Sequence, residues 1–140
     1  MHYYAVIDTN VVVSAMLKWQ SLPGNILELV FDGIIMPVFN DEILSEYREV
    51  LSRPKFNLSN QIIEDFVGNI EELGLSIKAA TLDLDFPDPK DRVFYEITME
   101  SRKSDETYLV TGNIKHFPAQ CFVVTPREML EIVLSKNNSQ

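Results

Sequence analysis

The sequence predicts an α/β fold, a mainly parallel sheet with helices covering both of its faces. Two observations carry this. Tyr3-Tyr4-Ala5-Val6-Ile7 is an apolar and aromatic run without alternation that ends in one carboxylate, Asp8. A short unbroken run of this kind suits a strand buried on both faces, as in a parallel sheet between helices. Beyond it, strand-like and helix-like segments alternate along the chain, and that order implies right-handed βαβ units. The 140 residues show no internal repeat, linker or low-complexity tract. They suffice for a genuine core, and residues 1–140 read as one domain.

The elements follow in order. Val11 to Leu17 can open a helix, which Ser21-Leu22-Pro23-Gly24 interrupts. Pro23 suits the start of the next helix, with Leu22, Ile26, Leu29 and Val30 on one face and Gly33 as its stop. Ile34 to Val38 is a short apolar run and reads as the second strand. Asn40 or Asp41 caps a helix in which Ile43, Leu44, Tyr47, Val50 and Leu51 recur at helical spacing, and Arg53-Pro54 ends it. Ser59 starts an amphipathic helix with Ile62, Ile63, Phe66, Val67, Ile70 and Leu73 on one face, stopped by Gly74. Leu75 to Ile77 suits a short strand, and Thr81 to Pro87 a loop. Asp88-Pro89-Lys90-Asp91 opens another helix. Thr107 to Thr111 and Phe122 to Val124 are the last strands. Thr125-Pro126-Arg127-Glu128 is a capping box before the terminal helix, and the polar tail from about Lys136 is expected to fray.

Composition narrows the classes of function. No stretch approaches the roughly 20 apolar residues of a spanning helix, so no membrane role is expected. The N-terminal residues show neither a basic region nor a cleavage site, so no secretory signal is expected. A single cysteine, Cys121, cannot form an internal disulfide. That fits a reducing compartment, and together these features point to the cytoplasm. The formal net charge of −9 argues against a protein that simply coats nucleic acid, which draws on excess Lys and Arg. It leaves room for a metal site, a basic partner, or a small basic patch on an acidic body.

In a parallel sheet the loops after the strands gather along one edge, where open α/β sheets bind ligands. Asp8-Thr9-Asn10, Asp88 with Asp91, and Gly112-Asn113 therefore converge. Glu46 falls at the border of its helix's apolar stripe, taking ~100° per residue, with Glu42 and Glu49 pointing further out. Each residue alone has a plainer reading. Asp8 fits a helix cap as well as a site carboxylate. Asp88 and Asp91 could cap a helix, Glu46 could be a solvated helix residue, and Asn113 an ordinary turn residue. Clustered carboxylates raise one another's pKa values, and hard divalent cations with oxygen ligands relieve that repulsion.

Taken in order, Ala5-Val6-Ile7-Asp8-Thr9-Asn10-Val11, the Glu46 helix with Arg53-Pro54-Lys55-Phe56, Asp88-Pro89-Lys90-Asp91 and Leu109-Val110-Thr111-Gly112-Asn113 resemble the signature of the PIN-domain (PilT N-terminus) ribonucleases. The resemblance spans roughly Tyr3 to Leu134 and is nearest to the toxins of toxin–antitoxin pairs. It implies a three-layer α/β/α sandwich and cleavage of RNA with Mg²⁺ or Mn²⁺. Asp8, Glu46 and Asp91 match the family's three acidic positions and would hold the metal. Asn113 falls where many members carry a fourth acid, and its amide would assist with less charge. Thr9, Asn10 and Thr111 would position these groups, with Asp88 a further ligand or a cap. An antitoxin partner and a homodimer are also implied.

Six of the twelve basic residues, Arg48, Arg53, Lys55, Lys90, Arg92 and Lys115, lie near these loops in sequence, followed by His116 and Phe117. They form a candidate basic rim for RNA, unless they pair with surface carboxylates. Two other functions compete. An aspartyl-phosphate phosphatase would need a second Asp where Asn10 stands. A PIN-like module with little or no activity, pairing with an antitoxin or an RNA-processing partner, suits Asn113 and the acidic balance, and Trp19 could serve such a surface.

Overall fold

The computed structural model describes residues 3–138, with side chains as far as Ser135. The elements run β1 (Tyr3–Ile7), α1 (Thr9–Leu17), α2 (Leu22–Phe31), β2 (Ile35–Phe39), α3 (Asp41–Leu51), α4 (Asn60–Leu73), β3 (Leu75–Ser76), α5 (Arg92–Ser101), β4 (Thr107–Val110), β5 (Val123–Val124) and α6 (Pro126–Asn138). Single 3₁₀ turns occupy Pro54–Phe56, Pro89–Asp91 and Ile114–His116. The strands form one sheet in the order β3-β2-β1-β4-β5, and every pairing is parallel. Ala5, Val6 and Ile7 are all buried. Successive strand residues point to opposite faces, so both faces of β1 are covered, as its unbroken apolar run requires.

The chain builds outward from β1 to β2 and β3, then returns across the sheet to β4 and β5. The switch point therefore lies between β1 and β4, paired in register from Tyr4 with Thr107 to Ile7 with Val110. Connections leave these two strands in opposite directions and open a crevice at their C-terminal ends. Hydrophobic burial fixes that centre. Val6, Ile7, Leu109 and Val110 are almost wholly buried, each contributing about 1.5–3 kcal/mol.

Caps sit where the sequence puts them. Asn40 Oδ1 accepts from Ile43 N at 2.9 Å, and Ser59 Oγ from Ile62 N at 3.2 Å. Thr125 and Glu128 exchange both bonds of a capping box. Gly33 follows α2 with φ of +81°, a left-handed turn suited to glycine. Gly74 ends α4 differently, with extended backbone pressed against Pro37 and Phe39 of β2. The segment 88–91 also differs from the expected helix start, because a 3₁₀ turn precedes α5. Asp88 caps that turn by accepting from Lys90 N, while Asp91 makes no capping bond.

The irregular stretch between β3 and α5 is anchored at several points. Ile77 N donates to Phe39 O, Leu82 N to Glu96 Oε2, and Arg92 Nη2 to Leu84 O. The Phe86 ring packs on Tyr95 and Phe117. These contacts deliver the 88–91 turn to the edge of the crevice.

A Cβ on Gly74 would lie 2.2 Å from Pro37 O, whereas one on Gly68, exposed in mid-α4, meets nothing within 4 Å. In urea unfolding, Gly74→Ala is expected to lose about 1–3 kcal/mol. Gly68→Ala is expected to gain about 0.5–1 kcal/mol from its better helix propensity.

Candidate active site

Asp8 follows β1 and is both helix cap and cleft carboxylate. Its Oδ1 accepts from Thr9 N at 2.8 Å and its Oδ2 from Thr111 Oγ1 at 2.7 Å, joining the ends of β1 and β4 across the switch point. The Thr111 hydroxyl accepts in turn from Asn113 N at 3.0 Å. Asn10 Oδ1 accepts from Gly112 N at 3.2 Å, so α1 and the turn after β4 are tied twice. Tyr47, on α3, is buried and its hydroxyl donates to Ile7 O at 2.5 Å. That bond holds α3 against the end of β1. Glu46, its neighbour, accepts a short hydrogen bond from Thr9 Oγ1.

The third carboxylate arrives from the opposite side. Asp91, at the end of the 3₁₀ turn, lies with its Oδ2 3.3 Å from His116 Nδ1, an ion pair only while the imidazole is protonated. No hydrogen bond satisfies that buried Oδ2. Asp8, Glu46, Asp91, Asp88 and Asn113 line one cleft of about 370 Å³, with Thr9, Asn10, Ser14, Lys90 and His116 around them. Thr111 sits beneath, wholly buried. Asn113 is exposed at the rim.

Burial is the main cause of the electrostatics. Asp8, 6% exposed, is pushed up to about 6 by burial, with the charges of Asp91 and Glu46 adding to the rise against its hydrogen bonds from Thr111 and Thr9. Glu46 is raised by burial, with Asp91 and Asp88 adding, opposed by Thr9 and Lys90. Asp91 is raised by burial and by Asp88, opposed by His116. Three half-buried or buried carboxylates facing one cleft therefore all resist ionisation. Among the described residues, no group of three or more His, Cys, Asp or Glu side chains is arranged to hold a metal ion as it stands. Glu46 is turned to Thr9 and Asp91 to His116. The donor chemistry nonetheless fits a hard divalent cation, because the donors are oxygens, carry shared negative charge, and include the buried Asp91 Oδ2, which faces His116 but accepts no hydrogen bond.

The proposed basic rim is corrected. Arg48 pairs with Glu64 from α3 to α4 and Arg53 with Glu49 one turn back, and Arg92 donates from Nη2 to the Leu84 carbonyl, leaving its Nε without a hydrogen-bond partner. Lys55 lies over Phe56. Of the six residues only Lys90 lines the cleft, joined there by His116. Arg53 found a carboxylate one turn back, and Arg48 one on the neighbouring helix α4. Trp19 is half-buried, stacked on Phe31 with its Nε1 donating to Glu28. Sequence reasoning missed the Tyr47 hydroxyl, which reads as one more apolar position of α3, and the pairing of His116 with Asp91. The polar pair Lys115-His116 directly after the turn of β4 was the available signal for the second.

A family model described as PIN domain matches residues 4–115. The match covers every acidic residue of the cleft, and the chain belongs to the PIN-domain family. Such domains are typically metal-dependent nucleases. No curated protein and no solved structure matches the chain. No helix among the described residues is long and apolar enough to cross a membrane.

The raised Asp8 gives a pH signature. Its carboxyl goes from 3.8 unfolded to about 6 folded. It therefore favours folding below pH ~4, and that advantage is lost as pH rises to ~6, at a cost of about 3 kcal/mol. Without divalent cations, Asp8→Asn is expected to match the wild type in stability near pH 4 and exceed it by about 2–3 kcal/mol above pH 6. Urea titrations at both pH values check this. A constant difference across that range would contradict it.

Proposed function

We propose that the chain is a metal-dependent endoribonuclease that hydrolyses RNA phosphodiester bonds. The observation that carries this is the gathering of Asp8, Glu46 and Asp91 in one cleft at the switch point, each with its pKa raised chiefly by burial. Buried carboxylates facing one another weaken the fold, and a divalent cation would reverse that effect. Asp8, Glu46 and Asp91 would hold Mg²⁺ or Mn²⁺, and the cation would activate a water and offset charge on the phosphate.

The surrounding residues prepare these groups. Thr111 and the Thr9 amide aim Asp8, and the Thr9 hydroxyl aims Glu46. Lys90 offers positive charge to a phosphate in the cleft, and His116 faces Asp91. Asn113 contributes an amide, which orients without adding charge. No cysteine or serine nucleophile with a base beside it is required. In this reading the chain is the toxin of a toxin–antitoxin pair. It works in the cytoplasm as a homodimer and is silenced by an antitoxin protein, as the sequence resemblance implies. Asn113 also favours a second reading, a PIN-like module that binds metal and partner without turnover.

One experiment separates them. Purified protein with Mn²⁺ or Mg²⁺ is expected to cleave a mixed RNA pool, and EDTA or Asp8→Asn to abolish cleavage. In the same samples Mn²⁺ is expected to raise the Tm of the wild type but not that of Asp8→Asn. A metal-dependent Tm shift without cleavage supports the binding module. Equal cleavage by wild type and variant defeats the assignment of Asp8.

A further inference from the structure

His116 reaches the acidic cleft by local geometry. The turn Ile114–His116 is a single 3₁₀ turn, closed by His116 N donating to Asn113 O at 3.0 Å. Side chains three residues apart eclipse in such a turn, so Asn113 and His116 both line the cleft. The next residue, Phe117, is buried and packs on Phe86 with ring centroids 6.3 Å apart, which anchors the turn. His116 is the one histidine among the described residues.

The approach of this ring to Asp91 does not have the form of a hydrogen bond. Nδ1 stands 3.3 Å from Asp91 Oδ2, yet that buried oxygen accepts no hydrogen bond. Two neighbouring ligands of one small cation, each bonded at about 2.1 Å, stand roughly 3.0 Å apart in octahedral and roughly 3.4 Å apart in tetrahedral geometry. The pair is therefore spaced as two ligands that share a cation are. Asp8 and Glu46 line the same cleft, and the charge of Asp91 acts on both. A neutral imidazole adds a donor to these three carboxylates without adding negative charge.

We propose that His116 Nδ1 is a nitrogen ligand of the divalent cation that Asp91 holds. The inference rests on the metal-binding part of the nuclease reading and adds a ligand to it, and with the ligand a preference among cations. Carboxylates and retained waters serve Mg²⁺, so an imidazole contributes little to holding it. First-row transition ions take imidazole nitrogen as well as oxygen. His116 therefore favours Mn²⁺ over Mg²⁺ in this cleft.

Electron spin-echo envelope modulation of bound Mn²⁺ reads imidazole nitrogen directly, on untagged protein without RNA. Wild type is expected to show that modulation. His2→Gln, which removes the chain's other histidine, is expected to keep it, and His116→Gln to lose it. In titrations His116→Gln is expected to weaken Mn²⁺ binding about 10-fold or more, the scale for losing a partner at a metal site. Mg²⁺ binding is expected to change by less than about 2-fold. Urea unfolding in EDTA checks that His116→Gln is folded. If it is not, His2→Gln decides alone, because its one imidazole is that of His116. Bound Mn²⁺ without imidazole modulation in His2→Gln overturns the ligand, makes His116 an ion-pair partner of Asp91 only, and leaves the nuclease reading standing. Modulation that persists in a folded His116→Gln also overturns it, as does a protein that binds no Mn²⁺. Modulation from His116 in a protein that never cleaves RNA upholds the ligand and removes the nuclease.

Discussion

The structure turns on a carboxylate buried where β1 and β4 part. Asp8 cannot be moved out to water without giving up the hydrogen bonds from Thr9 and Thr111 that join the two strand ends. Nor is it comfortable where it is, since burial and two neighbouring acids oppose its ionisation. A fold that keeps such a group holds a site under electrostatic tension. Stability given up at the crevice must be recovered in the apolar strands beneath it, where both faces of β1 and β4 are packed.

The other two carboxylates reach the crevice by different routes. Glu46 comes on α3, whose position is set by a hydrogen bond from Tyr47 to the carbonyl just before Asp8. One helix thus delivers an acid and the donor that fixes its distance. Asp91 comes at the end of a long irregular stretch pinned by Glu96, Arg92 and Phe86. Loops without regular hydrogen bonds hold a residue in place only if side chains replace those bonds, and here three do.

Charge is distributed unevenly over this acidic molecule. Arginines that stand close to the cleft in sequence are drawn to carboxylates one turn away or across a helix pair. Lys90 remains at the cleft, and Lys115 lines a separate hollow that has no carboxylate in its lining. Net charge is therefore a weak guide to the chemistry of a single crevice.

Much of this was legible in the chain alone. The unbroken run into Asp8, the alternation of elements and the caps at Asn40, Ser59 and Thr125 determined an α/β sheet and its helix starts, because periodicity and capping act over a few residues. The order of acidic residues pointed to one edge, since parallel strands end together. What only tertiary structure decided was which polar groups meet across the fold. That Thr111 bonds Asp8 103 positions away, that Tyr47 spends its hydroxyl on Ile7, and that His116 rather than a helix cap faces Asp91 are pairings between distant residues. So is the pairing of Arg48 with Glu64. Local sequence sets the direction of a side chain, but its partner depends on where the sheet brings the rest of the chain.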